Sequence, residues 1–155
     1  MLLAEALRER ADAQRQLAAL RDRVAASARY TEGEEAAEDA SALLDEAEAL
    51  VDRLAQLILR INETNLQATL ADGRSLTAAL AERDALRTRF GLLKSAADAA
   101  AGGRDVFRFG RQELRTFAAL DVTALRRRAD DVARQIRELD LAVEQVNFDT
   151  ELAGA

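Results

Sequence analysis

The sequence predicts an all-α protein in which four long helices form two antiparallel helical hairpins with coiled-coil-like packing. Its 155 residues include no proline and only seven glycines, so little in the composition interrupts long helices. Near the C-terminus, apolar residues alternate spacings of three and four over four heptads, as in a coiled-coil seam. They are Val122, Leu125, Ala129, Val132, Ile136, Leu139, Val143 and Val146.

The remaining elements follow from capping residues, apolar spacing and turn signals. The first helix is expected at about residues 2–29, and the second, which has a wider apolar face, follows a cap at Asp39. The third is expected at about 77–100 with Thr77 as its cap, and the fourth follows a cap at Asp121. Asp72-Gly73 indicates a tight turn. Alternating apolar residues in 102–120 predict a short two-stranded β arm.

Two constant offsets indicate an internal duplication. Shifting residues 39–71 by 82 lays them on 121–153, and shifting 3–28 by 73 lays them on 76–101. Asn65 then meets Asn147, and the pair Glu9-Arg10 meets Glu82-Arg83. We therefore expect one domain, 1–155, built from pseudo-repeat halves 1–73 and 74–155, each hairpin ending in a short β extension.

Composition excludes several function classes. The chain has no cysteine and no histidine, which excludes disulfides, thiolate metal sites and catalytic triads that use histidine. A net charge of −6 argues against general nucleic-acid binding. No apolar stretch approaches the roughly 20 residues that span a bilayer, and the first residues lack the features of a signal peptide. We expect a cytoplasmic protein without a membrane partner, a metal or another cofactor.

The first candidate site centres on Arg10 and Arg83. Each lies on the apolar side of its helix, where a guanidinium must find an acceptor or extend to solvent. Hairpin geometry predicts that Arg10 lies near Asn62 and Asn65, and that Arg83 lies near Glu144 and Asn147. The favoured interpretation is a structural tie at the helix ends, and the alternative is a repeated anion pocket. This site consists of Arg10, Arg83, Asn65, Asn147, Glu9 and Glu82.

The second candidate is a basic, aromatic arm in which arginines alternate with phenylalanines. Such a pattern suits docking onto another subunit or, as a less favoured alternative, stacking and charge contacts with single-stranded nucleic acid. Its residues are Arg104, Phe107, Arg108, Phe109, Arg111, Arg115 and Phe117. The acidic loop 31–39 occupies the corresponding place in the first repeat, so opposite charges favour docking of one loop on the other.

Several motifs resemble a known family. The stretch Asp72-Gly73-Arg74 to Glu82-Arg83-Asp84, together with Arg60-Ile61-Asn62-x-Thr64-Asn65, is similar to small, mainly actinobacterial helical proteins of unknown function that are often labelled septicolysin. The resemblance implies a helical bacterial protein without an established activity. The pore-forming activity that the label implies is disfavoured, because a cytolysin needs large sheets that refold into membrane hairpins.

These observations favour a non-enzymatic assembly or interaction protein that forms a homo-oligomer, with another protein as a further possible partner. The rival enzyme class is a metal-dependent nucleotide hydrolase. Acid pairs one helical turn apart, such as Asp45 and Glu48, could serve it, but one helix pair supplies too few convergent carboxylates. No catalytic residue is assigned.

Overall fold

The computed structural model describes residues 1–102 and 117–154, which contain four α-helices. They are α1 (Leu3–Ser27), α2 (Ala40–Gln67), α3 (Leu76–Ala100) and α4 (Val122–Asp149). They pack as two pairs, α1 with α2 and α3 with α4, which confirms the all-α class. Helices α1 and α3 each have 25 residues, and α2 and α4 each have 28. Their bounds thus repeat at the two offsets of the sequence, although superposition of the hairpins stays a prediction.

Capping side chains fix where the helices begin. The Asp39 carboxylate accepts hydrogen bonds from the Ser41 and Ala42 amides at 3.0 and 3.1 Å, and Asp121 accepts one from Ala124 at 2.9 Å. Both predicted aspartate caps are confirmed.

The predicted cap of α3 is wrong. Ser75, not Thr77, caps this helix, and its hydroxyl accepts a hydrogen bond from the Ala78 amide at 3.2 Å. Ser75 has the extended backbone that an N-cap requires, whereas Thr77 already lies in the first turn of α3. Two hydroxyl residues two positions apart left this choice open in the sequence.

The chain forms two compact units. Unit 1 contains residues 1–69 and the chain from Glu144 onward, and unit 2 contains Leu70–Val143. In unit 1, α1 and α2 share an apolar core made by the buried residues Leu20, Leu43, Ala47 and Leu50. Ala13, Leu17 and Val24 of α1 pack against this core and are only partly buried. Burying each large side chain stabilises the pair by roughly 1.5–3 kcal/mol.

The two ends of the chain meet in unit 1. Leu2 and Glu151 form an isolated antiparallel bridge, flanked by hydrogen bonds from Leu3 N to Thr150 O at 2.8 Å and from Leu152 N to Met1 O at 2.9 Å. The expected strand after α4 is thus a single bridge.

Thr64 anchors the segment that follows α4. Its hydroxyl donates to the Arg60 carbonyl at 2.7 Å and accepts from the Ala153 amide at 2.9 Å. The Arg60 Nε donates to the Ala153 carbonyl at 2.8 Å. Only 2% of Thr64 is exposed, so its hydroxyl has little access to water. Arg60 and Thr64 both belong to the motif Arg60-Ile61-Asn62-x-Thr64-Asn65 that carries the family resemblance, but the sequence predicted no contact for either of them.

Unit 2 begins with the predicted tight turn. Leu70 N donates to Arg74 O at 2.8 Å, and Gly73 N donates to Leu70 O at 2.9 Å. Gly73 has φ of 84°, a left-handed conformation that favours glycine. The Leu70–Arg74 hydrogen bond recurs as Leu152–Met1 at the same two offsets, 82 and 73.

The predicted apolar stripe of α4 faces inward. Leu125, Ala129, Val132, Leu139 and Val143 are buried. Of the predicted β arm, residues 103–116 lie outside the described part of the chain. Phe117 is described and is 81% exposed.

We predict that Thr64→Val lowers the free energy of unfolding by about 1–2 kcal/mol, because it leaves the partly buried Ala153 amide without its acceptor. Thr88→Val is the matched control, since the Thr88 hydroxyl also donates to a carbonyl four residues earlier, at 3.0 Å, but is exposed. Urea unfolding measures both. Equal losses in the two variants would contradict the anchoring role of Thr64.

Candidate functional site

Arg10 and Arg83 take up similar positions without the predicted hydrogen bonds at Nε. The Nε atom of each is buried and has no hydrogen-bond partner among the described residues. The Arg83 side chain is 24% exposed, and its guanidinium approaches Asp140 at 3.9 Å and Asp84 at 3.7 Å. The predicted proximity of Arg83 to Glu144 and Asn147 stays a prediction.

Arg10 lacks the two acid contacts of Arg83 because both corresponding positions carry apolar residues. Asp84 corresponds by the 73-residue offset to Ala11. Asp140 of α4, which lies near Arg83 and also pairs with Arg87 at 3.3 Å, corresponds by the 82-residue offset to Ile58 of α2. Arg10 has no ion pair in the described part of the chain. A guanidinium whose Nε is buried without an acceptor reduces stability.

The other members of the first candidate site do not converge on these arginines. Glu9 pairs with Arg53 of α2 at 3.3 Å, and Glu82 pairs with Arg74. Asn65 and Asn147 are partly buried near the ends of α2 and α4. Arg10, Glu9 and the two asparagines belong to unit 1, whereas Arg83 and Glu82 belong to unit 2.

The motif Asp72-Gly73-Arg74 is a polar clasp. The Asp72 carboxylate accepts hydrogen bonds from the Arg74 backbone amide at 3.0 Å and from its guanidinium at 2.9 and 2.6 Å, while Arg74 also pairs with Glu82. The hydrogen bond from the Arg74 side chain lowers the pKa of Asp72 below its usual range. The turn residues Asp72 and Arg74 and the α3 residue Glu82 therefore bind one another.

The acidic loop 31–39 is partly neutralised within unit 1. Glu38 pairs with Arg23 of α1, and this hydrogen bond lowers the pKa of Glu38. Asp39 is occupied as the cap of α2. The acids left on the loop surface are Glu32, Glu34 and Glu35, all of which are exposed.

Unit 1 has an apolar groove between α1 and α2. It has a volume of about 520 Å³, and its apolar lining consists of Leu17, Val24, Leu44, Ala47 and Val51. Leu44 and Val51 remain 48% and 47% exposed. The wide apolar face of α2 was visible in the sequence, but only the structure shows that α1 leaves part of it uncovered.

Three charged residues also line the groove. Arg21 projects from α1, and Glu48 and Asp52 project from α2. In the described part of the chain, none of the three makes an ion pair. The groove therefore combines an apolar floor with a positive side on α1 and a negative side on α2.

The corresponding positions of α4 have a different character. By the 82-residue offset, Leu44 corresponds to Arg126 and Val51 to Ala133. The apolar stripe along the groove is thus a property of the first hairpin, and the corresponding positions of α4 lack it.

Residues 1–102 and 117–154 contain neither a cluster of metal ligands nor a membrane-spanning helix. No group of three acidic side chains in the described ranges could hold a metal ion. None of the helices described is long and apolar enough to cross a membrane.

Comparison with known proteins gives the family and the fold. Residues 10–152 match a family of unknown function, DUF6847. The chain belongs to this family. It is also similar to a crystal structure of a functionally unknown conserved protein from Corynebacterium diphtheriae, with 36% sequence identity, coverage of 98% of each chain and a TM-score of 0.90. None of the curated proteins compared with it matches.

We predict that Asp72 contributes to acid sensitivity. Because its pKa is lowered in the folded protein, its contribution to stability is present above the unfolded pKa of about 3.9 and is lost as pH falls through the lower folded pKa. Asp72→Asn should therefore flatten the fall in stability below about pH 4. Chemical denaturation between neutral and acid pH measures this. Asp98→Asn, on the exposed side of α3, is the control, and an equal flattening there would contradict the prediction.

We predict that Arg10→Met raises the free energy of unfolding by about 1 kcal/mol, because it removes a buried Nε without an acceptor and keeps the apolar stem. Arg83→Met should gain less, since it also removes the contact with Asp140. Thermal and urea unfolding compare the two. A marked loss of stability in Arg10→Met would show that this arginine serves the fold.

Proposed function

We propose that this DUF6847 protein is a non-enzymatic assembly module that self-associates through an apolar surface. The groove of unit 1 carries the proposal, because Leu44 and Val51, two large aliphatic side chains two turns apart on α2, are about half exposed on it. Contiguous exposed apolar surface with charged edges is typical of protein interaction sites. The cytoplasm stays the predicted compartment.

The hydrolase alternative receives no support from the placement of the acids. Asp12 pairs with Arg15, Glu9 with Arg53 and Glu82 with Arg74, so these carboxylates bind arginines of the same unit. Asp45 and Glu48 are exposed on α2. A metal-dependent hydrolase needs several carboxylates directed at one point.

Single-stranded nucleic-acid binding is the second candidate, and one observation favours it. Phe117 is 81% exposed at the end of the Arg/Phe arm, where its ring could stack on a base. The exposed loop acids and the net charge of −6 weigh against it. The four helices of the described residues do not support the pore-forming activity implied by the septicolysin label, which needs large sheets.

Sedimentation velocity from about 1 to 100 µM tests self-association, with oligomer dissociation constants expected in the micromolar range or below. We expect a species of at least twice the 16.9 kDa chain mass. Phe107→Ser combined with Phe109→Ser should dissociate it if the arm also contributes to the interface. A wild-type monomer at every concentration would overturn the proposal and favour the nucleic-acid alternative, which fluorescence anisotropy with labelled oligonucleotides would then test.

A further inference from the structure

Resting on the proposed self-association, we infer that a second copy of this chain covers the α1–α2 groove. The same face of the partner subunit packs against it, and the two hairpins form a four-helix bundle. The two-fold axis runs parallel to the helices, so that α1 of each copy lies over α2 of the other.

The apolar lining favours a helical occupant. Leu44, Ala47 and Val51 follow one another at spacings of three and four along α2, and Leu17 and Val24 lie seven apart on α1. These are the spacings of a seam that receives side chains from facing helices. A hairpin has two antiparallel helices, so a second hairpin completes the antiparallel bundle found in many helical proteins.

The charged residues that line the groove favour a second copy of the same chain as its occupant. Within one chain, Arg21 and the acids Glu48 and Asp52 lie on opposite sides of the groove at similar heights, since they line one pocket. A two-fold axis parallel to the helices exchanges the sides and keeps the height. Arg21 of each copy then faces Glu48 and Asp52 of the partner subunit. The groove is therefore complementary in charge to itself, as an isologous interface requires.

The second hairpin shows that the fold tolerates loss of this surface. By the 82-residue offset, Leu44 and Val51 correspond to Arg126 and Ala133. Of the charged residues, Arg21 corresponds to Lys94 by the 73-residue offset, and Asp52 corresponds to Arg134 by the 82-residue offset. Asp130 keeps an acid at the position of Glu48, but an arginine replaces Asp52, so only part of the complementary charge pattern is present on the second hairpin. The half-exposed apolar stripe with Leu44 and Val51 is specific to the first hairpin, so the helical fold itself does not require it.

The first experiment replaces two groove residues of the first hairpin with the residues found at the corresponding positions of the second. Leu44→Arg with Val51→Ala gives the first hairpin the residue types of the second, and we expect dimer affinity to fall on the order of 100-fold because both copies lose apolar contact. Leu92→Arg is the matched control, since Leu92 is 69% exposed on α3 outside the groove. It should leave the affinity unchanged. Melting temperatures of both variants confirm folding.

A second experiment reverses the charges. Arg21→Glu alone, and Glu48→Arg with Asp52→Arg alone, each place like charges opposite each other twice in a homodimer, so each should weaken association by about tenfold or more. Mixed together, the two variants restore opposite charges at both contacts. We expect a heterodimer with an affinity close to that of the wild type, measured by sedimentation or by fluorescence energy transfer between labelled copies.

The outcomes separate this inference from the proposed function. A wild-type monomer overturns both. A wild-type oligomer that persists in Leu44→Arg/Val51→Ala overturns the inference alone and moves the interface to the arm or another surface. Variants that weaken association separately without restoring it when mixed contradict the two-fold charge pairing. The inference is supported if dimer affinity falls in Leu44→Arg/Val51→Ala, is unchanged in Leu92→Arg, and recovers when the two charge-reversed variants are mixed.

Discussion

A pair of packed helices can bury only one stripe of each, and this limit shapes unit 1. Helix α1 covers Leu43, Ala47 and Leu50 of α2, and these residues form the core. The next stripe, with Leu44 and Val51, lies too far around α2 for α1 to reach, so it stays half exposed. The surface proposed for self-association follows directly from an apolar face on α2 that is wider than one neighbouring helix can cover.

Small groups of polar hydrogen bonds, like the polar clasp of Asp72 and Arg74, fix the chain segments at the ends of the helices. In unit 1, Thr64 and Arg60 bind the backbone of Ala153, and the chain ends pair through Leu2 and Glu151. In unit 2, Asp72 and Arg74 close the turn before α3. The most specific part of the family resemblance falls on this second clasp. Its polar groups are engaged with one another, which supports a structural role for the motif.

Periodicity predicted the four helices well, because long apolar stripes and aspartate caps are local signals. The cap of α3 was predicted wrongly, because Ser75 and Thr77 are both suitable cap residues and only the backbone conformation of the turn distinguishes them. The polar sites were harder to predict. Arg10 and Arg83 match in sequence, but their surroundings depend on a residue of another helix, Ile58 in one case and Asp140 in the other. Thr64 binds Ala153, which is 89 residues away in the sequence, and no local sequence pattern predicts such a contact.

The central claim is that two copies meet with α1 over the partner's α2 about an axis parallel to the helices. A nitroxide label on Leu66→Cys tests it directly, because the natural chain has no cysteine and Leu66 is 67% exposed near the end of α2. Pulsed dipolar spectroscopy should give a label separation of roughly 20–30 Å, the width of a four-helix bundle with side chains. A two-fold axis across the helices at Glu48 would instead separate the labels by about 50 Å, since 18 residues lie between them on each copy at 1.5 Å per residue. That longer distance, or no dipolar coupling at all, would contradict the account.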